Sequence, residues 1–157
     1  MIRKEILKEL IGMEHFFLNT IECFTEEDSK FAPTGNNLTV AEQIAHAAQT
    51  IEWFASAVFI TGIFDMDFEK FDADVKKVKT VSEAKAWFKD AIDKTKKAVA
   101  SLNDDELNAL LPDNPILGMV PKRTVIGSMV DHTAHHRGAL AVYARLQGKT
   151  PKMPYAP

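Results

Sequence analysis

Apolar residues return at every third or fourth position along four stretches of this chain. Ile2, Ile6, Leu10, Met13, Phe17, Ile21 and Phe24 form the first stripe and predict a helix over about residues 2–24. A polar stretch, TEEDSKFAPTGNN, then breaks the pattern at Pro33 and Gly35. Thr39-Val40-Ala41-Glu42 has the capping-box spacing: the Thr39 hydroxyl can accept from the Glu42 amide while the Glu42 carboxylate reaches back to the Thr39 N–H. A second helix is expected from there to about Ile60, with Val40, Ile44, Ala47, Ile51, Phe54 and Val58 on its stripe.

Thr80-Val81-Ser82-Glu83 repeats the capping signal and opens a third helix. Ala84, Phe88, Ala91, Ile92, Thr95 and Val99 share one face of it, to about Leu102. The fourth helix starts after Thr124, carries Val125, Met129, His132, His136, Leu140 and Tyr143 on one face, and stops at Gly148 and Pro151. Period-two alternation is absent apart from the short, Asp-rich run Phe64 to Phe68. The pattern therefore predicts one all-α domain over residues 1–157, a four-helix bundle. Its links at 61–79 and 103–123 exceed the roughly 2–8 residues of a minimal up-and-down bundle. Links of that length can cross the bundle end to end or cap a pocket.

Composition narrows the function classes. The chain has 157 residues, 46% of them hydrophobic and 26% charged, which suits a globular domain with a real core. Nineteen Lys and Arg against 22 Asp and Glu leave a formal charge of −3, so no basic footprint for nucleic acid is present. The longest apolar run, Trp53 to Phe64, is interrupted by Ser56, Thr61 and Gly62 and is too short for a membrane span. Cys23 is the only cysteine, which rules out an intrachain disulfide and reads as a buried structural thiol. The N-terminus alternates charged and apolar residues at helical spacing, unlike a secretory signal, and a cytoplasmic protein is the expectation.

The chemistry lies in the histidines. His132 and His136, four apart, stack on one face of a helix with Cβ atoms roughly 5–6 Å apart. Two imidazoles so placed can reach one metal ion at about 2.0–2.1 Å. They share the inward face with Val125, Met129 and Tyr143, where an unpartnered polar ring costs on the order of 1–3 kcal/mol. The plainer reading is a pair of core-edge histidines bonded to backbone or water. His135 falls off the core face and reads as a surface residue, as does His15, opposite the first stripe. His46 lies on a flank of the second helix among small residues, facing a neighbouring helix, and is the natural third ligand if the pair binds metal.

Three neutral histidines with open positions make a catalytic rather than a closed structural site. The spacing is not H-E-x-x-H, because Thr133 follows His132, and no Glu-x-x-His of a di-iron bundle occurs. Glu42, one turn before His46, could approach the site, but its capping role is the simpler account. Zinc, nickel, iron and manganese all accept imidazole, so the divalent ion is not chosen by ligand type.

Two segments carry a family likeness: FAPTGNNLTVAEQIAHAAQTIEWF, a polar loop with a proline leading into a helix with one histidine, and DHTAHHRGALAVYARLQGKTP, with two histidines four apart followed by Arg-Gly and an aromatic. On these residues, over nearly its whole length, the chain resembles the DinB/YfiT family of helical-bundle metalloproteins. The resemblance implies metal ligands at His46, His132 and His136, with His135 as a frequent histidine that is not a ligand. It also implies an up-down-down-up helix order and a homodimer. Many relatives have glutamine where this chain has Ala139, which removes an amide.

Some relatives are transferases that use low-molecular-weight thiols; others have no assigned reaction. The expectation is therefore a metal-dependent transferase or hydrolase acting on a small-molecule substrate, with a non-catalytic metal-binding bundle as the alternative. Arg137 is expected to pair with an acid on the surface, and Tyr143 to pack in the core with its hydroxyl bonded. The link IFDMDFEKFDADV is expected to clamp the bundle through Phe64, Phe68 and Phe71, with a lid as the other reading, and Gly118 and Pro121 to shape a turn before the fourth helix.

Overall fold

A computed structural model describes residues 1–157. Six helices follow one another: α1 (Ile2–Ile21), α2 (Val40–Ala55), α3 (Phe68–Lys77), α4 (Val81–Ala100), α5 (Asp104–Asn108) and α6 (Val125–Leu146). The four long ones are those the hydrophobic stripes predict. Both predicted capping boxes form: Thr39 accepts from Glu42 N–H at 3.2 Å and Thr80 from Glu83 N–H at 3.2 Å, each returned by the glutamate. Gly148, with φ of 71°, ends α6 in the left-handed conformation. Its N–H bonds to Arg145 C=O at 3.0 Å and the Lys149 N–H to Ala144 C=O at 2.9 Å, the paired bonds of a Schellman cap.

The direction of each helix follows from its end contacts. Arg3 at the start of α1 donates to Asp104 just past α4, and Lys85 near the start of α4 reaches the Phe24 carbonyl, so α1 and α4 are antiparallel. The Tyr143 hydroxyl near the end of α6 donates to Leu38 C=O before α2, making α2 and α6 antiparallel. Ser29 joins the N-termini of α2 and α4: its carbonyl accepts from Ala41 N–H at 3.2 Å and its hydroxyl from Val81 N–H at 3.0 Å. Helices α2 and α4 are therefore parallel neighbours, and the order is up-down-down-up. The chain must return along the bundle between them, which is why the link after α2 is long.

That link is where sequence and structure differ most. Helix α2 continues beyond Ala55 as a π-helical turn, Ser56–Thr61, closed by Gly62 at φ of 76°. Where the hydrophobic pattern predicts only a link, residues Phe68–Lys77 form α3, capped by Asp67 and braced by Asp72–Lys76 and Asp74–Lys77 pairs. Only Val75 of this helix is buried, so it carries almost no apolar stripe to read. The first helix ends at Ile21 rather than Phe24, which packs inward from the turn that follows. The second long link contains α5, capped by Asn103, and an isolated bridge between Leu110 and Pro121.

One continuous core runs through the four long helices. Phe17 of α1 and Phe88 of α4 are fully buried and stack with ring centroids 4.3 Å apart. Ile44 and Ile51 from α2, Ile92 from α4, and Met129 and Leu140 from α6 complete it. Ser29→Ala should lower stability by about 1–3 kcal/mol, because it leaves the buried Val81 N–H without an acceptor at the α2–α4 junction. Urea unfolding of the metal-free protein measures this directly.

Candidate metal centre

Helices α2 and α6 face each other across the bundle, and their imidazoles meet. His46 comes from the middle of α2, His132 and His136 from consecutive turns of α6. One ligand nitrogen from each lies within 4.8 Å of the other two. Ring centroids are 5.1 Å apart for His46 and His132, 4.8 Å for His46 and His136, and 4.4 Å for His132 and His136. The Nε2 atoms of His132 and His136 are 3.1 Å apart, near the roughly 3.4 Å that two ligands take around a tetrahedral ion with bonds of about 2.0–2.1 Å.

The electrostatics keep the ligand lone pairs free. Burial, reinforced by the neighbouring imidazoles, holds His132 down at about 4 and His136 at about 3. Burial lowers His46 as well, partly opposed by Asp72. All three rings are therefore neutral at pH 7 and keep lone pairs for a Lewis acid. Two of those rings point Nε2 at Nε2, where a single proton can serve only one hydrogen bond. The Nδ1 atoms of His132 and His136 are buried without any hydrogen-bond partner. Three neutral imidazoles whose nitrogens converge within 4.8 Å, with no carboxylate or backbone partner between them, fit a divalent ion that accepts imidazole.

The triad is not sealed. His46 and His132 border a cavity of about 370 Å³, while His136 lies behind them, 7% exposed. Trp53 and Phe54 of α2 and Phe68, Phe71 and Asp72 of α3 line it, with Trp53 packed against both phenylalanines of α3. Trp53 anchors the crossing link: its indole N–H donates to Asp65 C=O at 2.7 Å, and its ring packs edge-on against Phe64 at 5.0 Å and Phe68 at 6.0 Å. The clamp expected of Phe64, Phe68 and Phe71 is thus present, and the same segment walls the cavity.

Other expected residues fall as follows. His135 is exposed, with its ring centroid 4.9 Å from that of His136. Glu42 serves its cap and does not line the cavity. Tyr143 is buried with its hydroxyl bonded to the Leu38 carbonyl at 3.1 Å. His15 is exposed, yet its Nε2 bonds the Ala156 carbonyl at 2.7 Å, tying down the C-terminal tail. Arg137 makes no ion pair with an acid: it lies over the rings of Phe16 and Tyr155, 5.7 and 5.5 Å away, on the α1 side of the bundle. Cys23 is half-buried, its thiol donating to Thr20 C=O and pushed up in pKa by burial, an inert environment for sulfur.

Sequence reasoning missed Gln49, Thr50, Trp53 and Asp72 as cavity residues. The signal for the first three was present: they stand three, four and seven residues after His46, the positions that share its helix face. Asp72 had no such signal, because it sits on a helix whose pattern is almost wholly polar.

Fold and site together define a helical bundle with a histidine triad held between two of its helices, the architecture of a candidate mononuclear metal protein. The chain belongs to the DinB superfamily, whose family model matches residues 10–140. No curated protein matches it. Among solved structures it is similar to a DinB-like protein of Bacillus subtilis, YjoA, at 19% sequence identity and a TM-score of 0.70, over 94% of this chain and 95% of that one. That likeness supports the bundle. No helix of the chain is long and apolar enough to cross a membrane.

Proposed function

We propose that the protein is a mononuclear metal-dependent enzyme, a thiol-dependent transferase or a hydrolase acting on a small molecule. The supporting observation is the meeting of three neutral histidine nitrogens within 4.8 Å at the wall of a cavity. His46, His132 and His136 would hold a divalent ion, zinc, nickel, iron or manganese. When bound, such an ion supplies Lewis acidity, bringing a coordinated thiol or water into its deprotonated form near neutral pH. The chain's own residues do the rest. His136, at the closed end, anchors the site, and His46 and His132 present it to the cavity. The aromatic walls exclude water and take the apolar part of a substrate. A non-catalytic staple would have no need of a cavity beside its ligands.

The expected result is about one divalent ion per chain in protein made without a histidine tag, read by elemental analysis. Metal-loaded protein should also turn over a small thiol with an electrophile, or an activated ester with water. His132→Ala should abolish that turnover. Stoichiometric metal that protects against unfolding, without turnover of any such pair, would instead support the staple. The homodimer implied by the family likeness belongs to the same proposal and is checked by sedimentation equilibrium of the same samples.

A further inference from the structure

The cavity beside the triad has a pattern of its own. His46, Gln49, Thr50 and Trp53 occupy positions i, i+3, i+4 and i+7 of α2 and all border it. Gln49 and Thr50 are each only 8% exposed. The Thr50 hydroxyl donates to the Gln49 side-chain oxygen at 3.4 Å, which turns the Gln49 NH2 group away from Thr50. That NH2, with two donors, has no partner in the protein, and the residue stands where the triad cavity meets a second cleft lined by Glu52, Lys70 and Asp74. A nearly buried amide with free donors, one turn from a metal ligand, is placed to meet an acceptor on whatever occupies the cavity.

The far wall narrows the class further. Trp53, Phe68 and Phe71 have centroids 6.0 to 6.5 Å apart and pack edge to face. Rings packed edge to face form no cage of faces around a cationic head, and the Phe71 face is already taken by the protein's own Lys70 ammonium, 5.6 Å from its centroid. Asp72, the acid at this wall, is already paired with Lys76 at 2.6 Å. The wall therefore suits a neutral apolar or aryl group rather than an ammonium.

We infer that Gln49 is a specificity-determining residue that reads a carbonyl-type acceptor on the substrate, and that the substrate class is a small neutral molecule with three parts in line. A donor atom for the metal comes first. A hydrogen-bond acceptor follows about one helical turn, or ~5 Å, further along α2, and an apolar or aryl body follows about two turns along, against Trp53. This inference rests on the metal-site reading above. Discrimination follows from the cost of leaving a buried donor unmatched, which separates a ligand with the acceptor from its isostere without it far better than an extra methylene does.

The test uses zinc-loaded protein and two thiols of matched length: the benzylamide of 3-mercaptopropionic acid, which has the carbonyl, and 5-phenylpentanethiol, which lacks it. Binding is followed by tryptophan fluorescence and by calorimetry, with zinc content measured on each sample. The amide should bind at least tenfold tighter to the wild type. Gln49→Leu should reduce that preference to within about threefold while zinc content stays at the wild-type level. Trp53→Ala, followed by calorimetry, should weaken both thiols. Equal affinity for the two thiols in zinc-loaded wild type, or a preference that survives Gln49→Leu, overturns the inference and leaves the metal-site reading standing. Absence of stoichiometric zinc in the wild type overturns both.

Discussion

His136→Leu should abolish stoichiometric zinc binding, lowering affinity by at least about a hundredfold, and should make the metal-free protein more stable rather than less. The two effects have one cause. His136 is 7% exposed and its Nδ1 has no partner, so the fold bears the cost of a buried polar atom that it does not satisfy. A leucine of similar volume removes that cost, typically about 1–3 kcal/mol for an unmatched buried group, without opening a cavity. It also removes one of three ligands, leaving two on different helices with no partner of comparable placement. The pairing of lost binding with gained stability is what a site maintained for function at the expense of the fold predicts. Calorimetric zinc titration and urea unfolding of metal-free wild type and variant check it. In excess zinc the order should invert, because only the wild type gains from ligand linkage. A metal-free variant that is less stable than wild type would show that the rings serve packing instead.

Much of this arrangement was legible in the residues, for physical reasons that also explain what was not. Long amphipathic helices announce themselves by their stripes, and capping boxes mark their starts within a residue, as Thr39 and Thr80 do. His132 and His136 could be paired because helical geometry alone sets their distance. Joining His46 to them needed more: it depends on how α2 sits against α6, and spacing within one helix does not encode that. Helix α3 left little trace, since its stability comes from Asp67 at its start, its ion pairs, and the aromatic contacts of Phe68 and Phe71 with Trp53. A local pattern search weighs burial, and α3 buries only Val75. The direction of each helix was likewise carried by contacts far apart in sequence, such as Ser29 with Val81 and Tyr143 with Leu38. Arg137 illustrates a third limit. A cation on a charged surface suggests an acidic partner, but its neighbours in space are the rings of Phe16 and Tyr155.

Metal-free protein should lose stability steeply as pH falls from about 6.5 toward 4, whereas zinc should remain bound well below the pH at which exposed histidines release it. His132 and His136 are held at about 4 and about 3 in the folded chain, against an ordinary value near 6.5 once unfolded. Between those limits the unfolded state takes up protons that the folded state refuses, so stability rises with pH across the window. The contribution is complete above 6.5, is lost progressively from there down to the folded values, and changes no further below them. Each unit of separation corresponds to about 1.4 kcal/mol, so two units for a single ring amount to roughly 3 kcal/mol. Carboxylates titrate toward the lower end of this range, and the comparison of wild type with His136→Leu isolates the ring: the wild-type curve should be the steeper between pH 6.5 and 4.5. Zinc competes only with protons bound by the folded site. With His132 and His136 held neutral to about 4, only His46 takes up a proton in this window, so apparent affinity should fall by no more than about tenfold per unit between pH 6.5 and 4.5, where an exposed pair would fall by up to about a hundredfold per unit. Affinity that falls by close to a hundredfold per unit beginning at pH 6.5 would place the binding on exposed imidazoles and not on the buried triad.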